Sequence, residues 1–277
     1  MMDLKSANIE RIGATIDGKI PIRMYRYEGQ IGCSVSTACD IVVPLGLQNY
    51  YKKNTPKKIE ETKEKSAGVG STLHELADKA IKEEKVEPKP EFKKWVEDNH
   101  ETVAKYKMVA EASEIKLFSK VFAVGGQVDY IGTFDCDCPQ CSKNLPKSKR
   151  AIVDRKTGRY NVINLWKTSM YRQMYVELTG DQDIGTVILH QPRPDLIEKG
   201  VKGTHYSIGR HETCVLSFLS AYQDFKMYYY RDLIKAGMRE SDVYQLSPFV
   251  YYEYLYGRGI HKEADEMLNG LAREQRK

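Results

Sequence analysis

The spacing of hydrophobic and polar positions changes several times along the chain, and each change marks an element. Residues 20–32 (IPIRMYRYEGQIG) fit an extended lead-in segment or a hairpin. In the stretch SVSTACDIVVPLGLQNYYKK that follows, Ser34 or Ser36 can cap a helix that breaks near Pro44. Residues 52–68 are almost wholly charged or polar, which predicts a solvated helix end plus loop; a strand-guiding basic arm is the functional alternative. Leu73, Leu76, Ala77, Ala80 and Ile81 recur at three- and four-residue steps and predict a helix over 70–85, broken by VEPKP at 86–90. A second amphipathic helix, containing Trp95, is expected over 91–107. From residue 111 the period shortens. Strands are expected at 111–122, 126–135 and 150–157, joined as an antiparallel meander. A helix over 163–179, a buried strand at 186–190, a loop at 191–203 and a further strand at 204–208 come next. A long helix over 211–236 and a helical tail over 239–277 complete the chain.

This order predicts an α/β fold, a mixed β-sheet flanked by helices. One domain spans residues 1–277, with a core over about 30–210 and a helical C-terminal extension over about 211–277. Composition adds little to that picture. The chain is 41% apolar, enough for a full core, and its net charge of +5 is compatible with a polyanionic partner without demanding one. No apolar run approaches the ~20 residues of a membrane helix. The opening MMDLKSANIERIG is too polar for a secretory signal, so a cytoplasmic protein with no membrane partner is expected.

The stretch AIVDRKTG (151–158) carries the most chemistry. Three apolar residues make a buried strand, and Asp154 and Lys156 then project to one side of it. Burying both charges is costly unless they pair or bind something. Phosphodiester hydrolysis needs this pair. A carboxylate holds a divalent cation that activates water, and a lysine orients that water or offsets the charge developing on phosphate. Asp129 follows apolar Val128 on the neighbouring predicted strand and is the second carboxylate. Taken alone, an Asp-x-Lys also fits a surface salt bridge.

Four features in order resemble the RecB-type exonuclease branch of the PD-(D/E)XK nuclease superfamily. Gly70 to His74 (GSTLH) matches GxxxH, Gly126 to Asp129 (GQVD) matches GxxD, and Asp154-Arg155-Lys156 followed by Thr157-Gly158 matches the DxK strand end. A helix beginning near Trp166 stands where that branch has QxxxY, and SVST (34–37) resembles the opening of small exonucleases in the group. The resemblance covers about residues 30–180. It implies a restriction-endonuclease-like core. It also implies that Asp129, Asp154, the backbone carbonyl of Arg155 and the imidazole of His74 bind Mg²⁺ or Mn²⁺, while Lys156 assists the attacking water. The implied partner is DNA, as single strands or duplex ends, and the implied activity is an exonuclease serving repair, recombination or phage DNA metabolism. A non-catalytic nucleic-acid-binding accessory protein on the same fold is the alternative. From the residues alone, His74 also fits a half-buried core histidine.

The helix motif departs from the pattern. Gln173 is followed four residues later by Glu177, not tyrosine, and Tyr175 is preceded by Tyr171, not glutamine. Either pair shares a helix face. The resemblance makes Gln173 and Tyr175 accessory candidates and Glu114, upstream of the Asp129 strand, an accessory acidic group near the metal; from the residues alone Glu114 fits a solvated strand-end glutamate equally well.

Cys136, Cys138 and Cys141 crowd into the connection 136–149 between the two carboxylate strands. CPQC has the spacing of a zinc knuckle, with Cys136 as a third ligand and Cys214, Cys33, Cys39, a histidine or an aspartate as the fourth. A loop of reduced thiols fits equally. Some RecB-type nucleases carry an iron–sulfur cluster, with one cysteine before GxxxH and three near the C-terminus. The cysteines here are placed differently, so structural Zn²⁺ is the expected ion. Late tyrosines such as Tyr222, Tyr228, Tyr229, Tyr230, Tyr244 and Tyr251, interleaved with Lys226, Arg231 and Lys235, suit either single-strand stacking or a packed helical interface.

Overall fold

A computed structural model of the protein describes residues 8–16, 20–39, 42, 45–82, 84–85 and 87–244. The break expected near Pro44, Tyr251 and most of the expected helical tail lie outside the described residues. Strand β1 (Glu10–Ile16) pairs antiparallel with β2 (Ile20–Tyr27), which turns through Glu28 and Gly29 into β3 (Gln30–Ser34). Both turn residues have positive φ (46° and 78°), the two-residue hairpin geometry whose twist matches that of the strands. The hairpin was legible in the sequence. Strand β1 was not, because its only buried residue is Ile16.

The Ser34 hydroxyl accepts a hydrogen bond from the Thr37 N–H at 2.9 Å and caps the single turn α1 (Val35–Ala38). Helix α2 (Leu45–Lys53) follows. The polar stretch then departs from expectation: it is helical. α3 runs unbroken from Pro56 to Ile81, started by Thr55 as N-cap and proline in the first turn. Lys and Glu are good helix formers, so this polarity records exposure and not a loop. Leu73, Ala77 and Ala80 are the buried residues of α3, and Leu73 and Ala77 form a small core with Phe92, Trp95 and Val96 from a 3-10 turn (Pro90–Phe92) and α4 (Lys93–Lys105).

The three central strands are β4 (Val109–Ser119), β5 (Val124–Thr133) and β6 (Arg150–Lys156), antiparallel as the sequence predicts. Between β5 and β6 stands a short helix, α5 (Pro139–Asn144). Helix α6 (Ile163–Thr179) ends at Gly180, whose φ of 74° stops it with the usual left-handed cap. Strand β7 (Gly185–His190) then lies parallel to β6, as a crossover through a helix requires. Within the expected loop 191–203 is one helical turn, α7 (Pro194–Ile197), before β8 (Thr204–Ser207) pairs antiparallel with β7. The expected long helix is two, α8 (His211–Tyr228) and α9 (Tyr230–Lys235), and α10 (Glu240–Tyr244) is the described part of the tail.

The result is an α/β protein with one mixed eight-stranded sheet, in the order β1-β2-β3-β5-β6-β7-β8 with β4 also on β5. Helices α6 and α8 cover one face through Met170, Tyr171, Met174, Phe218 and Tyr222. On the other face a second core forms from Tyr130, Phe134, Val153, Val187, Leu189 and Cys141. Among the described residues no helix is long and apolar enough to cross a membrane.

Candidate functional site

The site is built where β5 changes neighbours. β3 pairs only with Val124 and Gly125, and β6 joins only at Tyr130. Residues 126–129 lie between these two partners. The β5–β6 pairing runs from Thr133 and Arg150 to Tyr130 and Val153, and just beyond its end come Asp129 on β5 and Asp154 on β6. On the other edge Ser113 faces Tyr130 and Ile115 faces Val128, which sets Glu114 opposite Asp129. Glu114, Asp129 and Asp154 thus come from three adjacent strands at this end of the pairing.

Asp129 accepts a hydrogen bond from the Arg155 N–H at 2.6 Å through Oδ2, and its Oδ1 lies 3.4 Å from His74 Nδ1. Asp154 is only 2% exposed. Its Oδ2 sits 2.6 Å from Lys156 Nζ and accepts from the Thr168 hydroxyl of α6 at 3.3 Å. Lys156 also donates to the Arg155 carbonyl at 3.3 Å. His74 reaches the sheet because α3 passes the end of β6 closely: a Cβ on Gly70 would stand 3.7 Å from the Thr157 hydroxyl. Gly126, which opens the GxxD stretch, has a packing reason. A Cβ there would fall 2.5 Å from the Tyr171 ring.

These surroundings push the two aspartates in opposite directions. Burial raises the Asp154 carboxyl above its ordinary range, and the Asp129 charge adds to this against the pull of Lys156. Burial also works against an Asp129 anion, but His74, Lys156 and the Arg155 N–H outweigh it and hold Asp129 below its ordinary value. Lys156 is raised: its two aspartates overcome the effect of burial, so it stays charged. Burial and the neighbouring Asp129 raise Glu114. Two carboxyls of divergent acidity beside a fixed ammonium are suited to holding a cation and handling a proton.

The accessory candidates divide. Glu114 is at the site, accepting from Gln127 Nε2, and its φ of 52° is a conformation few non-glycine residues adopt. Gln173 bonds Glu177 at 2.9 Å, and Tyr175 bonds Arg150 and Asp181 at 3.0 and 3.2 Å, at the opposite end of β6 from Asp154. The α6 residues that look onto the carboxylates are Thr168 and Tyr171. Burial and the charges of Asp154 and Asp129 raise the Tyr171 hydroxyl well above its ordinary value. Of the two helix pairs open in the sequence, the structure brings Tyr171 to the site.

Two groups were missed from sequence. Asp78 lies one helical turn after His74, a spacing that was available as a signal. His74, Asp78, Glu114, Asp129 and Arg155 line one recess between α3 and the sheet. Asp78 Oδ1 is buried there without a hydrogen-bond partner among the described residues. Arg155 entered the sequence argument only through its carbonyl, but its side chain points to the opposite face from Asp154 and is 5% exposed. Its Nε has no partner among the described residues, and burial lowers its pKa to about 10.

A second cluster stands on the other core. Cys138 caps α5, its Sγ accepting from the Cys141 N–H at 3.4 Å. Cys136 and Cys138 each place Sγ 3.4 Å from Nε2 of His205 on β8. Ligand atoms of Cys136, Cys138, Cys141 and His205 all lie within 4.8 Å of one another, so the cluster can hold a metal ion such as zinc. Among the described residues it is the one group of three or more such ligands drawn that close. The fourth position left open by the sequence is thus a histidine. Cys33 sits instead beside Met238, and Cys214 on α8. Of the late tyrosines, Tyr222 is fully buried and donates to the Ala123 carbonyl, whereas Tyr228 and Tyr244 are exposed.

No family model matches this chain, and no curated protein sequence matches it.

Proposed function

We propose that this chain is a Mg²⁺- or Mn²⁺-dependent nuclease of the PD-(D/E)XK type, acting on DNA from its ends by phosphodiester hydrolysis. The observation that carries the proposal is that Asp129 accepts from the Arg155 N–H at 2.6 Å, between Asp154 and Lys156 in the chain, with Lys156 2.6 Å from Asp154 and His74 3.4 Å from Asp129. A salt bridge on a strand would need only the pair. Here a second carboxylate, an imidazole and a third acidic group converge on it. The mixed sheet, with helices on its faces and the motif residues on its central strands, is consistent with a restriction-endonuclease-like core.

The donor set fits the ion. Asp129, Asp154 and the Arg155 carbonyl offer hard oxygens, His74 offers an imidazole, and the orphaned Asp78 oxygen lies in the same recess. When bound, a divalent cation supplies a water of lowered pKa and neutralises charge on the phosphate. Lys156 holds its ammonium between Asp154 and the Arg155 carbonyl, where it can orient a water and offset the charge developing on phosphate. Thr168 fixes the Asp154 carboxylate from above. The Arg155 N–H and His74 fix Asp129.

The test is DNA degradation by the purified protein with Mg²⁺ or Mn²⁺, against EDTA. Asp129→Asn and Lys156→Ala are each expected to lower the rate by about a hundredfold or more while circular dichroism stays native. Wild-type rates in both variants would overturn the site. DNA binding without cleavage in either metal would point to the accessory-protein alternative.

A further inference from the structure

The thiol–imidazole cluster lies apart from the carboxylates, and nothing in the proposed hydrolysis uses it. Its dimensions are those of a tetrahedral ion site. Zn–S bonds of about 2.3 Å and Zn–N bonds of about 2.0 Å give S···N edges near ~3.5 Å and S···S edges near ~3.8 Å. The Nε2···Sγ separations are 3.4 Å to both Cys136 and Cys138, and all four ligand atoms fall within 4.8 Å. The ring is held for the task. Nδ1 lies 3.1 Å from the Tyr106 hydroxyl. Ligation through Nε2 requires the proton on Nδ1, which is then donated to the Tyr106 oxygen. Tyr106 also stacks on Phe134 at 4.6 Å, and both rings pack against His205. Three thiolates around a dication leave a net negative charge, and Lys149 Nζ, bonded to the Cys136 carbonyl at 3.2 Å, lies beside it. Soft thiolates favour zinc over magnesium, and four protein ligands leave no open position for chemistry.

We propose that Cys136, Cys138, Cys141 and His205 bind one structural Zn²⁺, which fastens the β5–β6 connection to the edge strand β8. Cys138 and His205 are 67 residues apart in sequence. Strand β8 is four residues long and pairs only with β7. The connection otherwise touches it mainly through Asn144, which donates to the Ser207 carbonyl at 3.1 Å. A bound ion therefore adds a long-range tie between the connection and β8, on the face opposite α6. The proposal does not rest on the nuclease reading.

The experiment measures metal in the full-length protein by plasma mass spectrometry and titrates the chelator-stripped protein with Co²⁺. One zinc per chain is expected, together with the thiolate charge-transfer and visible bands of tetrahedral Co²⁺. Cys141→Ser and His205→Ala should each lower zinc content or affinity at least about tenfold, and Tyr106→Phe should weaken affinity by about tenfold. Cys214→Ser should change neither. If the ligand variants do not fold, His205→Cys keeps four ligands and should retain zinc with a shifted Co²⁺ spectrum. A wild-type protein that carries no zinc and shows no Co²⁺–thiolate bands would overturn the proposal. So would a Cys138–Cys141 disulfide in its place, or full zinc content in both ligand variants.

Discussion

Asp154 and Gly126 show how much a single position can carry in this protein. Asp154 is buried at the end of an apolar strand and keeps its place through an ammonium and a hydroxyl. Gly126 acts by what it lacks. The Tyr171 ring occupies the space of its absent Cβ, and through that contact α6 settles on β5 just ahead of Asp129. Gly126→Ala should destabilise the fold by about 1–3 kcal/mol, because a buried ring has to move. Denaturant unfolding would measure this, and an unchanged midpoint would contradict the packing argument. From sequence this glycine was visible only as a motif letter. Its reason is a ring some 45 residues later in the chain.

At the scale of the element, α6 does two jobs on one buried surface. Thr168 and Tyr171 face the carboxylates, and Tyr175 ties the start of β6 to the loop after the helix through Arg150 and Asp181. The two ends should therefore respond differently. Tyr175→Phe removes two hydrogen bonds and should cost about 1–2 kcal/mol, a drop of a few degrees in Tm, with DNA turnover little changed. Thr168→Val keeps the volume but takes a donor from Asp154, and should lower turnover about tenfold with a smaller change in Tm. The reverse pattern would show that Gln173 and Tyr175, and not Thr168, support the site. The helix was legible in the sequence to the residue, but its rotation was not. Both candidate pairs have four-residue spacing, and a helix buried on nearly every side has no polar face to set its register.

For the whole molecule, polar groups buried in apolar surroundings fasten the C-terminal layer to the sheet and hold its own helices together. Tyr222 reaches the Ala123 carbonyl, Cys33 touches Met238, and the fully buried Lys226 donates to the Asp242 carbonyl. Burial lowers Lys226 from its ordinary 10.5 to about 8. The unfolded chain therefore binds the extra proton between pH 8 and 10.5, and the protein is penalised for it below that window. Stability should rise by about 3 kcal/mol across the window, and Lys226→Met should flatten the rise. Unfolding free energies measured between pH 7 and 10.5 in both proteins would check this. Equal slopes would show that Lys226 is charged when folded.

Period and spacing alone determined the three central strands, α6, β7, β8 and the hairpin, because each buries one face or both and writes that burial into its sequence. They also singled out Asp129, Asp154, Lys156 and the three cysteines, while His74 came only from the resemblance to the GxxxH motif. Several features had no local trace. Strand β1 hides its weak alternation at a sheet edge, and the exposed half of α3 is polar like a loop. The placement of His205 beside the three cysteines, the turn of Arg155 away from Asp154, and the nearness of Thr168 and Tyr171 to the carboxylates all depend on what packs opposite. Only the tertiary structure could decide them, since each is a relation between segments tens of residues apart, and a local pattern records burial without recording the partner.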